Sequence, residues 1–204
     1  MKLNRYNIYS LTIAFILILS GGMLHYLAPE SDKAVFRFIN GHHVRWLDEF
    51  MLPVTYCGNT VVLVIVAFVV LVLRGGKRFF QALSSLFSAG LLVTIAKRFF
   101  PTARPASMLP DVNILGPCLQ YFSFPSGHTA AVFALACIIR KEFPALVPLF
   151  WVMAVLIGIS RIYVGGHFLS DVMAGAGLGY IAGYAVSLLF SVEKKNIKNI
   201  EGSN

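Results

Sequence analysis

An all-α integral membrane bundle of six transmembrane helices is what this sequence predicts, and three observations predict it. The 204 residues are 57% hydrophobic and only 13% charged, against roughly 25% charged residues in soluble domains. The apolar residues gather into six runs, most of them near the ~20 residues that a bilayer crossing needs. The basic residues stand mostly at the ends of those runs, where they orient a chain in a membrane. The same composition excludes an intrinsically disordered chain, which is poor in apolar residues. Three cysteines in the whole chain are too few for a disulfide scaffold. The net charge of +8 is accounted for by orientation, so no nucleic-acid partner is expected.

The first run covers about 9–27. Lys2 and Arg5 before it and Ser20, Gly21 and Gly22 within it resemble a secretory signal. The apolar stretch nevertheless continues through Met23, Leu24, Tyr26 and Leu27, so a retained helix is expected. A stretch at about 28–53 mixes charges with Val35, Phe36, Phe38, Ile39, Trp46, Leu47 and Phe50, the composition of a helix lying in the membrane interface. The second run follows at 54–73 and the third at 79–99. Pro101, Pro105, Pro110, Pro117 and Pro125 then mark an irregular loop. The fourth run, 126–139, is short; the fifth covers 145–162 and the sixth 168–192. One domain over 1–204 is expected.

With six runs, one side of the membrane holds both termini and carries Lys2, Arg5, Arg74, Lys77, Arg78, Arg140, Lys141, Lys194, Lys195 and Lys198. The other side carries Lys33, Arg37, Arg45, Lys97, Arg98, Arg104 and Arg161. The excess puts both termini in the cytoplasm.

A charge near the bilayer centre costs ~3 kcal/mol or more, so such residues usually have work to do. Lys97 closes the third run and Arg104 follows in the loop. Ser126, Gly127 and His128 open the fourth run, Arg161 closes the fifth, and His167 and Asp171 open the sixth. Runs three and five go outward while four and six return, so all eight residues meet at the non-cytoplasmic face. Lys97, Arg104 and Arg161 make an anion clamp, with arginine suited to bidentate phosphate contacts. Ser126 is a favoured helix N-cap, whose neighbouring N–H groups suit a phosphate, and Gly127 lets backbone approach closely. His167 and Asp171 share a helix face at spacing four, or the carboxylate orients the imidazole. An oriented imidazole can act as nucleophile, and His128 can serve as general acid. The carboxylates Asp171 and Asp111 are too few for a two-metal centre, so no metal and no cofactor is expected.

These residues fall in three motifs: Lys97 with Arg104-Pro105, then Pro125-Ser126-Gly127-His128, then Ser160-Arg161 with His167 and Asp171. Their spacings, K-x6-RP, PSGH and SR-x5-H-x3-D, resemble those of the type 2 phosphatidic acid phosphatase (PAP2) family. These are membrane lipid phosphatases related to vanadium haloperoxidases. The resemblance implies a PAP2/haloperoxidase-like helical core. It also implies a phosphohistidine on His167 supported by Asp171, and a leaving group protonated by His128. Phosphate would be held by Lys97, Arg104, Ser126, Gly127 and Arg161, without Mg²⁺. The substrate implied is a membrane lipid phosphate or diphosphate. Undecaprenyl diphosphate stands first, with phosphatidylglycerophosphate, phosphatidate and lipid A 1-phosphate as competitors. A lipid phosphotransferase and a non-catalytic anion-binding membrane protein are the alternative functions.

Simpler roles are expected elsewhere. Arg98 reads as a snorkelling anchor, His42-His43 as a solvated loop, and His25 and Cys137 as packing residues. Lys194, Lys195 and Lys198 hold the tail at the cytoplasmic surface. Gly175, Gly179 and Gly183 form a small-residue ridge for close helix packing, with a homo-oligomer contact as the alternative. Cys57 and Cys118 lie on a side that permits oxidation.

Overall fold

Every regular element among the described residues, 5–117 and 122–201 of this computed structural model, is a helix. They are α1 Arg5–Leu27, α2 Pro29–Asn40, α3 Arg45–Cys57, α4 Thr60–Arg74, α5 Gly76–Phe99, α6 Pro105–Met108, α7 Gly127–Glu142, α8 Val147–Tyr163 and α9 Leu169–Glu201, with a 3₁₀ turn at Pro144–Leu146. Lys2 and Cys118 lie outside the described residues, and with Cys118 any pairing to Cys57. The side chains of Lys194, Lys195 and Lys198 also lie outside them.

The bundle is built around α7. A helix apolar on every side must be enclosed on every side, and Ala130, Val132, Ala134, Leu135, Ile138 and Ile139 are all buried. Helices α4, α5, α8 and α9 pack around it. The α7–α9 seam is closed by the glycine ridge. A methyl group at Gly175 would stand 2.5 Å from the Ser126 carbonyl oxygen. Methyl groups at Gly179 and Gly183 would collide with the carbonyls of Ala130 and Ala134. The ridge is thus used within the chain. On another face of α9, Gly177 admits the backbone of α1 at Ala14, and Gly21 of α1 approaches the Ser170 carbonyl. The first run is therefore an integral packing element.

Among the described residues, four segments are long and apolar enough to cross a membrane: Asn7–Leu27, Gly76–Phe99, Pro144–Tyr163 and Leu169–Ser191. A fifth exists if α3 and α4, bent by 61° at their junction, count as one span. The apolar part of α7, Gly127–Arg140, is shorter.

The sequence reading needs two corrections. The stretch at 28–53 is not one interfacial helix but α2 and most of α3, separated by Gly41 and an extended Val44. The second run does not start its helix at Val54. Val54–Cys57 belong to α3, which Gly58 ends by donating its N–H to the Thr55 carbonyl at 3.1 Å. Asn59 then starts α4, its side-chain oxygen accepting the Val61 N–H at 2.9 Å as an N-cap does. Apolar composition runs unbroken across this junction; only the Gly-Asn pair marks it.

Candidate active site

The C-terminal ends of α5 and α8 and the N-terminal ends of α7 and α9 meet at one end of the bundle; they and the segments joining them carry the eight motif residues, with Arg104 at the N-cap of α6 and His167 in the turn before α9. The Ser126 N–H donates to the Asp171 carbonyl at 2.9 Å, tying the start of α7 to α9. Ser126 occupies the N-cap position of α7, but its side chain makes no capping bond. Its hydroxyl is buried and accepts a hydrogen bond from Thr129 Oγ1 at 3.0 Å. A Cβ on Gly127 would meet only Val93, at an ordinary 3.8 Å, so protein packing does not demand glycine there.

Two other glycines are tightly placed, and the sequence reading passed over both. Gly165 has φ +79°, a conformation costly for other residues. A Cβ on Gly166 would stand 2.6 Å from Arg161 Nη2. Together they turn the chain back after α8, so that the N–H groups of Gly166 and His167 both donate to the Arg161 carbonyl, at 3.0 and 3.1 Å. That turn sets the Arg161 guanidinium beside the His167 loop. Arg161 Nη1 donates to Thr55 Oγ1 at 2.7 Å, while its Nε is buried without a partner among the described residues.

His167 is buried, and its partners define its tautomer. Nδ1 lies 3.2 Å from Asp171 Oδ2, and Nε2 lies 3.2 Å from Arg104 Nη1. Arginine can only donate and a carboxylate can only accept. Nδ1 therefore carries the proton and Nε2 presents its lone pair. Burial, followed by the charges of Arg161, Arg104, Lys97 and then His128, holds the imidazole well below its ordinary pKa. The ring is neutral at physiological pH. Asp171 is held in turn: Oδ2 also accepts the Phe168 N–H at 2.9 Å and the Ser123 hydroxyl at 2.5 Å.

Arg104 Nη1 also donates to the Gly166 carbonyl at 2.8 Å. Beyond it opens a cavity of about 220 Å³. Among the motif residues Arg104, His128 and Arg161 line it, together with Thr55, Tyr56 and Asn59 from the α3–α4 junction. Lys97 is not on this wall. Its ammonium donates to the carbonyls of Phe122 and Ser123, at 3.2 Å for the latter. Asp111, the other carboxylate considered, lies apart in a pair with Arg37 at 3.6 Å.

Sequence reasoning missed Ser123, Thr55 and a second buried carboxylate, Asp32. Asp32 Oδ1 accepts the Ser170 N–H at 3.1 Å and Oδ2 accepts the Ser170 hydroxyl, so α2 pins the start of α9 beside Asp171. His25 packs against Tyr26 and Phe124 as expected, with Nδ1 3.4 Å from Ser170 Oγ. His42 is exposed, but His43 is not the solvated residue expected: it bonds Asp48 and stacks on Tyr163.

Residues 78–195 match the model of the PAP2 superfamily. The chain is 30% identical to phosphatidylglycerophosphatase B of Bacillus subtilis over 191 residues, covering 84% of this chain and 89% of that protein. It is 27% identical to an undecaprenyl-diphosphatase of Sulfolobus acidocaldarius over 150 residues, 71% of each chain. The crystal structure of a transmembrane PAP2-type phosphatidylglycerolphosphate phosphatase from Bacillus subtilis superposes with a TM-score of 0.76 at 25% identity. That match covers 92% of this chain and 97% of the other.

Proposed function

The chain belongs to the PAP2 superfamily, and from that premise we propose that it hydrolyses the terminal phosphate of a membrane lipid phosphate or diphosphate through a phosphohistidine. The observation that carries this reading is the neutral His167, its Nδ1–H toward Asp171 and its Nε2 toward Arg104 at the cavity wall.

The steps follow from the geometry. A phosphate entering the cavity meets Arg161 and draws the Arg104 N–H away from Nε2 onto its own oxygens, as bidentate pairing favours. The freed Nε2 lone pair attacks phosphorus, forming the N–P bond while the bond from phosphorus to the lipid-side oxygen breaks. His128, on the cavity wall, gives that oxygen its proton. Asp171 stabilises the positive charge that develops on His167. Water then attacks phosphorus, His128 takes its proton, the N–P bond breaks and inorganic phosphate leaves. The cationic side chains supply the positive charge throughout, so this reading uses no metal. Lys97 supports the loop carrying Ser123 and adds its field to the clamp, and the α7 N-terminus at Ser126 and Gly127 contributes a favourable dipole.

The whole chain, 1–204, forms one domain in this reading. The bent α3–α4 pair and α7 complete a set of six spans. Both termini face the cytoplasm and the site faces the outer side of the cytoplasmic membrane, as the basic residues favour. Cysteine labelling checks this: position 111 labels from outside and position 76 from inside, and the reverse pattern overturns it. Phosphatidylglycerophosphate and undecaprenyl diphosphate present the same terminal phosphate, and the relatives carry both names. The deciding assay offers both, with phosphatidate and lipid A 1-phosphate, in detergent with chelator. Phosphate release lost in His167→Ala supports the hydrolase. Phosphate appearing on a second lipid replaces it with a phosphotransferase, and no turnover replaces it with an anion-binding protein.

A further inference from the structure

We propose that the apolar groove between α4 and α8, floored by α7, receives the part of one apolar chain of the substrate nearest the phosphate. This rests on the lipid phosphatase reading above and adds where the tail goes. The groove has a volume of about 320 Å³ and is lined by Val62 and Val66 of α4, Val132 and Leu135 of α7, and Met153 and Ile157 of α8. Helices α4 and α8 both pack on α7 but not on one another, which leaves the slot between them open at the side.

Its register with the phosphate cavity is what selects the occupant. His128 and Val132 are four residues apart on α7, and Arg161 and Ile157 are four apart on α8. Residues at that spacing share a helix face, about 6 Å apart along the axis. The groove thus begins one turn beneath the cavity on two helices at once. The α3–α4 junction joins the two spaces: Tyr56 and Asn59 line the cavity, while Cys57 lines the groove. Gly58 stands at the seam. A Cβ there would meet Ile157 Cγ2 at 2.6 Å and His128 Cβ at 3.3 Å, so any side chain would crowd the passage between them.

The groove ends at Leu149. From Ile157 that is about 12 Å of helix, less than half of a ~30 Å hydrocarbon core. It can hold only the proximal part of a long chain, the remainder lying in the bilayer. Recognition by shape at this depth does not separate an acyl chain from an isoprenoid one, but it does separate long chains from short ones.

The test is a substitution that fills the slot away from the chemistry. Met153→Trp, with Val66→Trp as a second plug, is assayed in micelles on dihexanoyl phosphatidate, dioleoyl phosphatidate and a long isoprenyl phosphate. The expected result is a KM raised about tenfold for both long-tailed substrates, with kcat/KM for the short one within twofold. Retained short-chain activity also shows that the variant folds. Equal losses on short and long substrates, or no change on either, overturn the proposal; a loss on one long tail alone overturns the shared-chain reading. A second arm needs no turnover: an alkyl phosphate with a mid-chain diazirine is photolysed with the wild-type protein. Labelling of α4 and α8 peptides that depends on the phosphate supports the groove, whereas equal labelling by the matching alcohol reveals ordinary lipid contact and overturns it. If the wild type releases no phosphate from any lipid, the hydrolase reading fails and the crosslink still judges the groove.

Discussion

His43 and Asp48 stand 2.7 Å apart beside the end of α8; His167 and Asp171 stand 3.2 Å apart beneath the cavity. Distance alone would choose the first pair as the reactive one. The difference lies in what the second nitrogen of each ring faces. His43 Nε2 lies 3.1 Å from the Tyr163 carbonyl oxygen, and its ring stacks on Tyr163 at 4.3 Å. Both nitrogens are turned to protein groups, and the Asn40 side-chain nitrogen also lies 3.5 Å from Nε2. Asp48 also accepts the Tyr163 hydroxyl at 2.5 Å, which makes the group a clasp between α3 and α8. His167 Nε2 faces an arginine at the wall of a cavity. A histidine–carboxylate pair becomes chemistry only when the far nitrogen is left available and a charged ligand can reach it.

The largest expected effect separates the two pairs directly. His167→Gln lowers kcat by about 10³-fold or more with the thermal midpoint little changed. His43→Gln leaves kcat within about threefold and lowers the midpoint by roughly 2–4 °C. Phosphate release and melting curves on the two variants check this, and a matching loss of turnover from both erases the distinction. Next in size is Asp171→Asn, which accepts only one proton arrangement and favours the wrong tautomer, costing on the order of 10²–10⁴-fold in kcat. Asp48→Asn costs mainly stability. Arg104→Lys follows, with about a tenfold loss in kcat/KM, because an ammonium cannot reproduce the planar fork. Ser123→Ala removes one hydrogen bond to a carboxylate and lowers kcat about tenfold with KM unchanged. Ser123→Thr retains the hydroxyl and restores part of the rate.

The smallest effect is on pH dependence. His167 must be neutral to attack, and its surroundings hold its pKa well below 6.5. Activity governed by this group therefore persists as pH falls through 6.5 and declines only further into acid, which a kcat/KM profile measures. The stability effect runs in the same direction but sets in at higher pH. Below pH ~6.5 the unfolded chain binds a proton at residue 167 that the folded chain refuses, so stability falls as pH falls. Comparing wild-type and His167→Gln melting points at pH 7 and pH 5 isolates this contribution.

How much of this was legible in the sequence differs between backbone and network. The helix ends that carry Lys97, His128, Arg161 and Asp171 could be read because run length and proline placement fix them. The bend at Gly58–Asn59 was hidden by uninterrupted apolar composition on both sides. Ser123 and Asp32 were hidden for another reason: their partners lie 48 and 138 residues away, and no local period connects a loop hydroxyl or an amphipathic-helix carboxylate to the start of α9. Lys97 was placed correctly on its helix, but its present commitment to loop carbonyls rather than the cavity is a matter of rotamer, which sequence spacing does not encode.

The shortness of α7 has a consequence for how products part. Its 16 residues extend about 24 Å, several ångströms less than the ~30 Å thickness of the hydrocarbon layer. Neighbouring helices screen all but the groove side of it from lipid, so the bilayer need not thin to match it. The deficit is taken up inside the protein, as a recess above His128. In the proposed reaction the released phosphate leaves upward into water while the dephosphorylated lipid slips sideways into oil. Two products that enter different phases do not readily meet again, and the direction of the reaction is then maintained by partition.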